Sequence, residues 1–479
     1  MPGAVLAIDQ GTSGTKALVL DGADVVALAE RELRPRYGEG GAVEQDPDEL
    51  WLSVVDAGAQ ALAAAGRRPT CLGLANQGES VLAWDPATGE PLTPIVVWQD
   101  KRAGRVTERL APHADELAAI SGLPLDPYFS APKLAWVREH LERGGVVTTT
   151  DTWLVHRLTG AFVTDASTAS RSGVLDLAAT AWSPRAQALY GLEAEAMPEV
   201  VDGAGAVGTT TAFGEPLPLT GLAVDQQAAL LAQGCFAAGE AKCTYGTGAF
   251  VLVNAGTSAP QSTHGLAASV AWRLDGVATY CLDGQVFTAA SAVRWLSELG
   301  VIEGADDLDR VGSQVDDTGG VAFVPALAGL GAPWWRDEAR GALRGLGLGT
   351  TRGHLVRALL DGIAAQVVAA VRAGEADTGV PVRSLRVDGG LTRSRLLVQA
   401  QADLLQAPVL VSSSPHATSL GVAALARLGA GETQDVEAAV TGVTPTGLVE
   451  FVEPRAGADE AAARLAVFAE AVAPVLGES

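Results

Sequence analysis

Residues 4–21 read AVLAIDQGTSGTKALVLD. Two apolar runs flank a polar turn of Gln10, Gly11, Thr12, Ser13 and Gly14, a pattern that predicts strand, turn and strand. The same grammar returns at 241–254, AKCTYGTGAFVLVN, where a Gly-Thr-Gly turn joins two apolar runs. Two such hairpins so far apart in the chain imply a duplicated architecture. A third segment, 385–405, reads LRVDGGLTRSRLLVQAQADLL. Its apolar strand runs into Asp388, Gly389 and Gly390, and apolar residues then recur at helical spacing. Two glycines between a strand and a helix let the backbone approach a ligand closely.

The sequence between these segments alternates. Pro47–Ala65 reads as a helix with Asp46 as N-cap and Pro47 at the first helical position. Cys71–Ala75 and Ser80–Asp85 read as strands. Ala223–Gly234 reads as a helix beginning at Asp225, whose local context is that of an N-cap. His354–Glu375 reads as a long amphipathic helix, with His354 as a capping or surface residue. This alternation predicts mixed α/β layers. The best boundary falls near Gly234–Gly239, giving expected domains of 1–236 and 237–479.

Bulk properties exclude several functions. The 479 residues are 48% hydrophobic and 19% charged, and the formal net charge is −23. Lys16, Lys101, Lys133 and Lys242 are the only lysines. No basic cluster is available to displace counterions from a polyanion, so nucleic-acid binding is not expected. The four cysteines and six histidines fit no metal or CxxC spacing. The cysteines read as reduced core thiols of a cytoplasmic protein. Apolar runs such as Ala228–Leu231 are too short to span a bilayer, and the first residues do not read as a signal peptide.

Ten segments occur in one order along the chain. They are AIDQGTSGTKALVLD (7–21), VEQDPDELW (43–51), IVVWQD (95–100), GLPLDPYFSAPKLAW (122–136), DTWLVHRLTG (151–160), DQQAAL (225–230), YGTGAF (245–250), PALAGLGAPWW (325–335), the run 341–361, and RVDGGLTRS (386–394). Together they resemble the FGGY carbohydrate kinases, most nearly the glycerol kinase branch. The resemblance implies two actin-like ATPase (ribonuclease H-like) domains with a cleft between them. It further implies ATP and Mg²⁺ as cofactors and a small polyol or sugar as partner; a homodimer or homotetramer stays open.

The resemblance also implies roles. Asp9 would hold Mg²⁺ through water, which suits a cation that dehydrates reluctantly. Thr12, Ser13 and Lys16 would meet the phosphates with Thr247 of the second hairpin. Gly389, Gly390 and Ser394 would take the adenosine. Asp225 would accept the proton of the attacking hydroxyl, with Gln226 beside it. Ala290 and Arg294 depart from the Gly and Gln usual at nucleotide-contacting positions, and Ser394 from a common Asn.

Glu79, Trp98, Tyr128, Gln226 and Phe250 match acceptor contacts. Gly78, however, stands where glycerol kinases carry an arginine. Loss of that planar fork is expected to leave a triol underheld and to open space, which favours a four- to six-carbon polyol or a ketose. A true glycerol kinase is the alternative. An actin-like ATPase switch would share the hairpins but would not need the acceptor residues.

Overall fold

The computed structural model describes residues 3–412, 414–445 and 450–477. The opening segment forms strands Ala4–Gly11 and Gly14–Asp21, paired antiparallel through Gly11↔Gly14. Strand Asp24–Glu32 extends the hairpin, and Pro69–Asn76 adds on the other side, parallel to Ala4–Gly11. Leu217–Val224, parallel again, and Ala204–Thr210 complete a six-stranded sheet. Helix Pro47–Ala65 packs on the hairpin strands, and Asp46 caps it by accepting from the Asp48 and Glu49 amides.

A second, seven-stranded sheet repeats the plan. Ala241–Tyr245 and Ala249–Gly256 form its hairpin, extended by Val277–Val286 and Ala267–Leu274. Leu385–Asp388 joins parallel to Ala241–Tyr245, and Val409–Val411 follows in parallel. The 27-residue helix Arg352–Thr378 backs this sheet, and Thr351 with His354 form its capping box. It is long and apolar enough to cross a membrane, contrary to the expectation from shorter apolar runs. Its buried residues, among them Leu359, Ile363, Val367 and Val371, pack into the core of the second lobe instead.

The lobes share buried surface. Helix Ala417–Gly429 packs against Ala4–Gly11, Pro69–Asn76 and Leu217–Val224 of the first sheet, although it follows the second sheet's central strands in the chain. One apolar cluster joins Val5, Ala7 and Cys71 to Leu252, Cys281, Leu420 and Val422. All four cysteines are free and buried, and burial pushes the Cys71 thiol up to about 11.

Parallel pairing fixes where function can sit. Gln10 aligns with Asn76, and Asn76 with Val224. The C-terminal ends of three adjacent strands therefore deliver Asp9, the Gln77–Glu79 turn and Asp225 to one edge. In the second sheet Thr244 aligns with Asp388, so the second hairpin turn and Gly389 meet in the same way. Ligands of open α/β sheets gather at such carboxyl edges.

Candidate active site

Asp225 is the first residue of helix Asp225–Ala232, and Val224 occupies the N-cap position without a side-chain bond. The capping role read from the local sequence is thus not the one the structure gives. Val224 ends its strand in an extended conformation (φ −75°, ψ 148°), and the helix begins directly after it. Among the described residues, the Asp225 carboxylate accepts only from the adjacent Gln226 amide, at 2.6 Å. Burial pushes Asp225 up to about 7; the charges of Asp9 and Glu79 add to this, and Lys242 opposes it. Burial likewise raises Asp9 to about 6, with Lys16 opposing. Lys16 sits directly across the hairpin from Asp9 and lies 3.9 Å from Glu30.

Two half-buried carboxylates, the charge of Asp9 disfavouring that of Asp225, suit a hard divalent cation. No group of three or more His, Cys, Asp or Glu gathers to hold a metal among the described residues. Asp9 and Asp225 could therefore hold Mg²⁺ only with water and phosphate oxygens completing its shell, as is usual for this ion.

The first turn is wired to the Gln77 turn and to Trp98. Thr12 Oγ1 donates to Gln77 Oε1 and accepts from the Trp98 indole N–H, both at 2.9 Å. Gln45 donates to the Thr12 carbonyl at 2.7 Å and accepts from Gln77 at 2.9 Å. Trp98 meets Tyr128 edge-on, with ring centroids 5.4 Å apart. Lys133 is fully buried, and its Nζ donates to the carbonyls of Pro127, Tyr128 and Phe129, tying down the Tyr128 loop.

Glu79 is held with φ at +61°, a conformation that costs a non-glycine residue about 1–3 kcal/mol and is retained where surroundings impose it. Its Oε1 accepts from Arg171 Nε at 2.5 Å. Burial raises the Glu79 carboxyl above its usual range, and Arg171 opposes that. Gln226 Oε1 accepts from Lys242 Nζ at 2.6 Å, and Lys242 also reaches Thr244 Oγ1 at 2.9 Å. Phe250, on the strand after the second turn, is half-buried against the core shared by the lobes.

Gly78 has one close neighbour where a side chain would begin. A Cβ there would lie 3.0 Å from Val224 Cγ2, so a valine methyl already stands against the glycine. The guanidinium beside Glu79 comes from elsewhere, from Arg171 at the end of helix Ala166–Ser170.

On the nucleotide side, Gly389 has φ +97°, and a Cβ on it would lie 2.2 Å from the Tyr245 carbonyl oxygen. Only glycine lets this turn meet the second hairpin. Gly390 and Ser394 line one pocket of about 110 Å³ with Asp306, Asp309 and Arg393. Ser394 caps helix Arg395–Leu405 by accepting from the Leu397 amide, and its hydroxyl donates to Asp309 at 2.6 Å. Thr247 is exposed at the tip of the second turn, and its carbonyl accepts from the Ala289 and Ser291 amides. Ser13 is exposed at the tip of the first turn. Ala290 donates its amide to the Gly246 carbonyl, whereas Arg294 points into solvent.

Comparison with known proteins accounts for both lobes. The model of the N-terminal domain of the FGGY family of carbohydrate kinases matches residues 4–232, and that of its C-terminal domain matches residues 241–430. The chain belongs to this family. It is thus an ATP-dependent FGGY carbohydrate kinase, a phosphotransferase acting on a hydroxyl group. This FGGY kinase is 43% identical over 464 residues to a glycerol kinase of Alkalilimnicola ehrlichii, covering 92% of the chain and 94% of that relative. It is 44% identical over 448 residues to a glycerol kinase of Thermus brockianus, covering 89% and 90%. Among solved structures, Plasmodium falciparum glycerol kinase with ADP superimposes with a TM-score of 0.92 at 29% identity, covering 99% of this chain and 98% of that one.

Sequence reasoning missed Gln45, Arg171, Lys133, Lys242 and Asp283 as site residues. Gln45, Arg171 and Asp283 act through partners distant in sequence, and local pattern carries no signal of that; Lys133 and Lys242 act on nearby segments, but only the fold shows those segments at the site.

Proposed function

We propose that this kinase transfers the γ-phosphate of ATP to a hydroxyl of glycerol, with Asp225 accepting the proton. The observation that carries the reading is the state of Asp225. Its carboxylate is spared from helix capping and sits at the joined strand edges, where the charges of Asp9 and Glu79 both disfavour its ionisation. Glu79, Trp98, Tyr128, Gln226 and Phe250 supply the acceptor wall. Transfer proceeds through a loose transition state, so positioning and charge neutralisation do most of the work. A carboxylate pushed up to about 7 suits a base that takes its proton late.

Two features favour glycerol over a longer acceptor. A Val224 methyl stands against Gly78 and narrows the room beside it, and Arg171 places a guanidinium against Glu79. The glycerol kinases similar over most of the chain point the same way. Lys16, Thr12, Ser13 and Thr247 would hold the phosphates, Gly389, Gly390 and Ser394 the adenosine, and Asp9 the Mg²⁺. Mg²⁺, when bound, neutralises phosphate charge. The buried free thiols support a reducing, cytoplasmic setting.

The test is an ADP-release assay over glycerol, erythritol, xylitol, ribitol, xylulose, ribulose and gluconate. Glycerol is expected to give the highest kcat/KM. A pentitol or ketulose well above it would restore the longer acceptor that Gly78 first suggested.

A further inference from the structure

A buried ion triad joins the acceptor pocket to the opposite lobe. Glu79 and Arg171 belong to the first lobe; Asp283 lies on strand Val277–Val286 of the second. The side chains of Glu79, Arg171 and Asp283 are 6%, 3% and 4% exposed. The Glu79–Arg171 contact is well made. The other is not. Arg171 Nη1 lies 2.8 Å from Asp283 Oδ2, yet it is out of line for a hydrogen bond and has no hydrogen-bond partner among the described residues. Asp283 Oδ1 has none either. The remaining Asp283 oxygen receives only a long contact from Gln285, at 3.5 Å.

Buried polar atoms without partners are uncommon, because each forfeits its hydration with nothing in return. These two form a matched set, one N–H donor and one carboxylate acceptor. A hydroxyl, of a ligand or of a water, satisfies both at once, accepting on a lone pair while donating its proton. The location agrees. The Arg171 guanidinium carbon lies 5.8 Å from the centre of the Tyr128 ring, which packs on Trp98. It therefore borders the aromatic wall and Glu79 together.

We propose that Arg171 Nη1 and Asp283 Oδ1 form a hydroxyl subsite of the acceptor pocket, binding a hydroxyl other than the one phosphorylated. The subsite supplies the donor that Gly78 cannot. It is built from both lobes, so it is complete only when they are together. The inference rests on the acceptor-kinase reading above.

The test compares glycerol with propane-1,2-diol and propane-1,3-diol, each lacking one hydroxyl, in the wild type, Asp283→Asn and Arg171→Lys. Asp283→Asn keeps the shape and carries the test alone if Arg171→Lys does not fold. The expected result is a KM for glycerol raised tenfold or more in the variants. The KM for ATP, and that for whichever diol lacks the bound hydroxyl, should move less than twofold. An equal rise for glycerol and both diols, or an unchanged KM for glycerol, would overturn the subsite and leave the pair a structural tie holding a water. If the wild type phosphorylates none of the three, the glycerol reading fails instead. The same comparison is then made with deoxy forms of the acceptor that the substrate panel selects.

Discussion

At the scale of single residues, the proposed base Asp225 also carries a cost. Its folded carboxyl titrates near 7 and an unfolded one near 4, so the native state binds its proton more tightly. Native stabilisation from this proton is full below about pH 4 and is lost as the pH rises through about 7. Asn cannot ionise. Asp225→Asn should therefore raise the stability of the ligand-free protein at pH 8 by roughly 1–2 kcal/mol and leave it nearly unchanged at pH 4. Melting curves at the two pH values check this, and equal shifts at both would contradict it. The same substitution should lower kcat by roughly 10²–10⁴ with the KM for ATP nearly unchanged. In the wild type, kcat/KM for the acceptor should rise with pH to a plateau above about 7, since the base must be ionised in the free enzyme. A profile flat from pH 5 to 8 would remove Asp225 as the base.

At the scale of elements, what was legible in the sequence followed from local signals. The hairpin 4–21, the capped helix 47–65 and the strand–Gly-Gly–helix segment 385–405 each announce themselves through alternation, a capping residue or glycines. Each forms with bounds close to those expected. What was not legible needed the third dimension. Asp225 before an apolar helical run looks like a cap until the preceding strand is seen to end on Val224. Gly78 looks like a vacancy until Val224, from a strand 146 residues on, is seen against it. Arg171 lies 92 residues from Glu79, and nothing in its own neighbourhood marks it. The Gly389 turn shows how one element's geometry serves another. An added Cβ meets the Tyr245 carbonyl carbon at 2.7 Å and its nitrogen at 2.9 Å, in a backbone conformation unfavourable to alanine. Gly389→Ala should push the turn off the second hairpin, costing roughly 1–3 kcal/mol of stability and raising the KM for ATP severalfold. The acceptor KM should stay near wild type, because most of the proposed acceptor wall (Glu79, Trp98, Tyr128 and Gln226) lies in the first lobe, away from this turn. A thermal melt with two-substrate kinetics would show this; a selective loss of acceptor affinity would mean that the turn does not serve the nucleotide.

At the scale of the whole molecule, the lobes are tied unevenly. On the acceptor side, strand Ala267–Leu274 of the second lobe is stitched to the first. The Val270 amide donates to Ser170 Oγ at 2.9 Å, the Ala268 amide to the Gly122 carbonyl at 2.8 Å, and Gln227 to Ser269 Oγ at 3.2 Å. Arg273 pairs with Asp202 at 2.6 Å, and Arg171 reaches Asp283. The residues expected at the nucleotide are less constrained. Thr247, Gly390 and Ser13 are exposed, and the pocket beside Gly390 is lined by second-lobe residues alone. A kinase must exclude water, which would otherwise take the phosphate, so the lobes must close over the substrates. A molecule already pinned along its acceptor side closes by swinging its nucleotide side inward about that seam. The ligand that spans the two phosphate turns is therefore the one that drives the motion, since only differential contact with the closed state can shift the equilibrium. ATP with Mg²⁺ should produce most of the decrease in radius of gyration measured by small-angle scattering, and the acceptor alone little of it. If the acceptor alone gave the full decrease, the seam would not be the hinge, and the bonds around Ser170 and Ala268 would form only on closure.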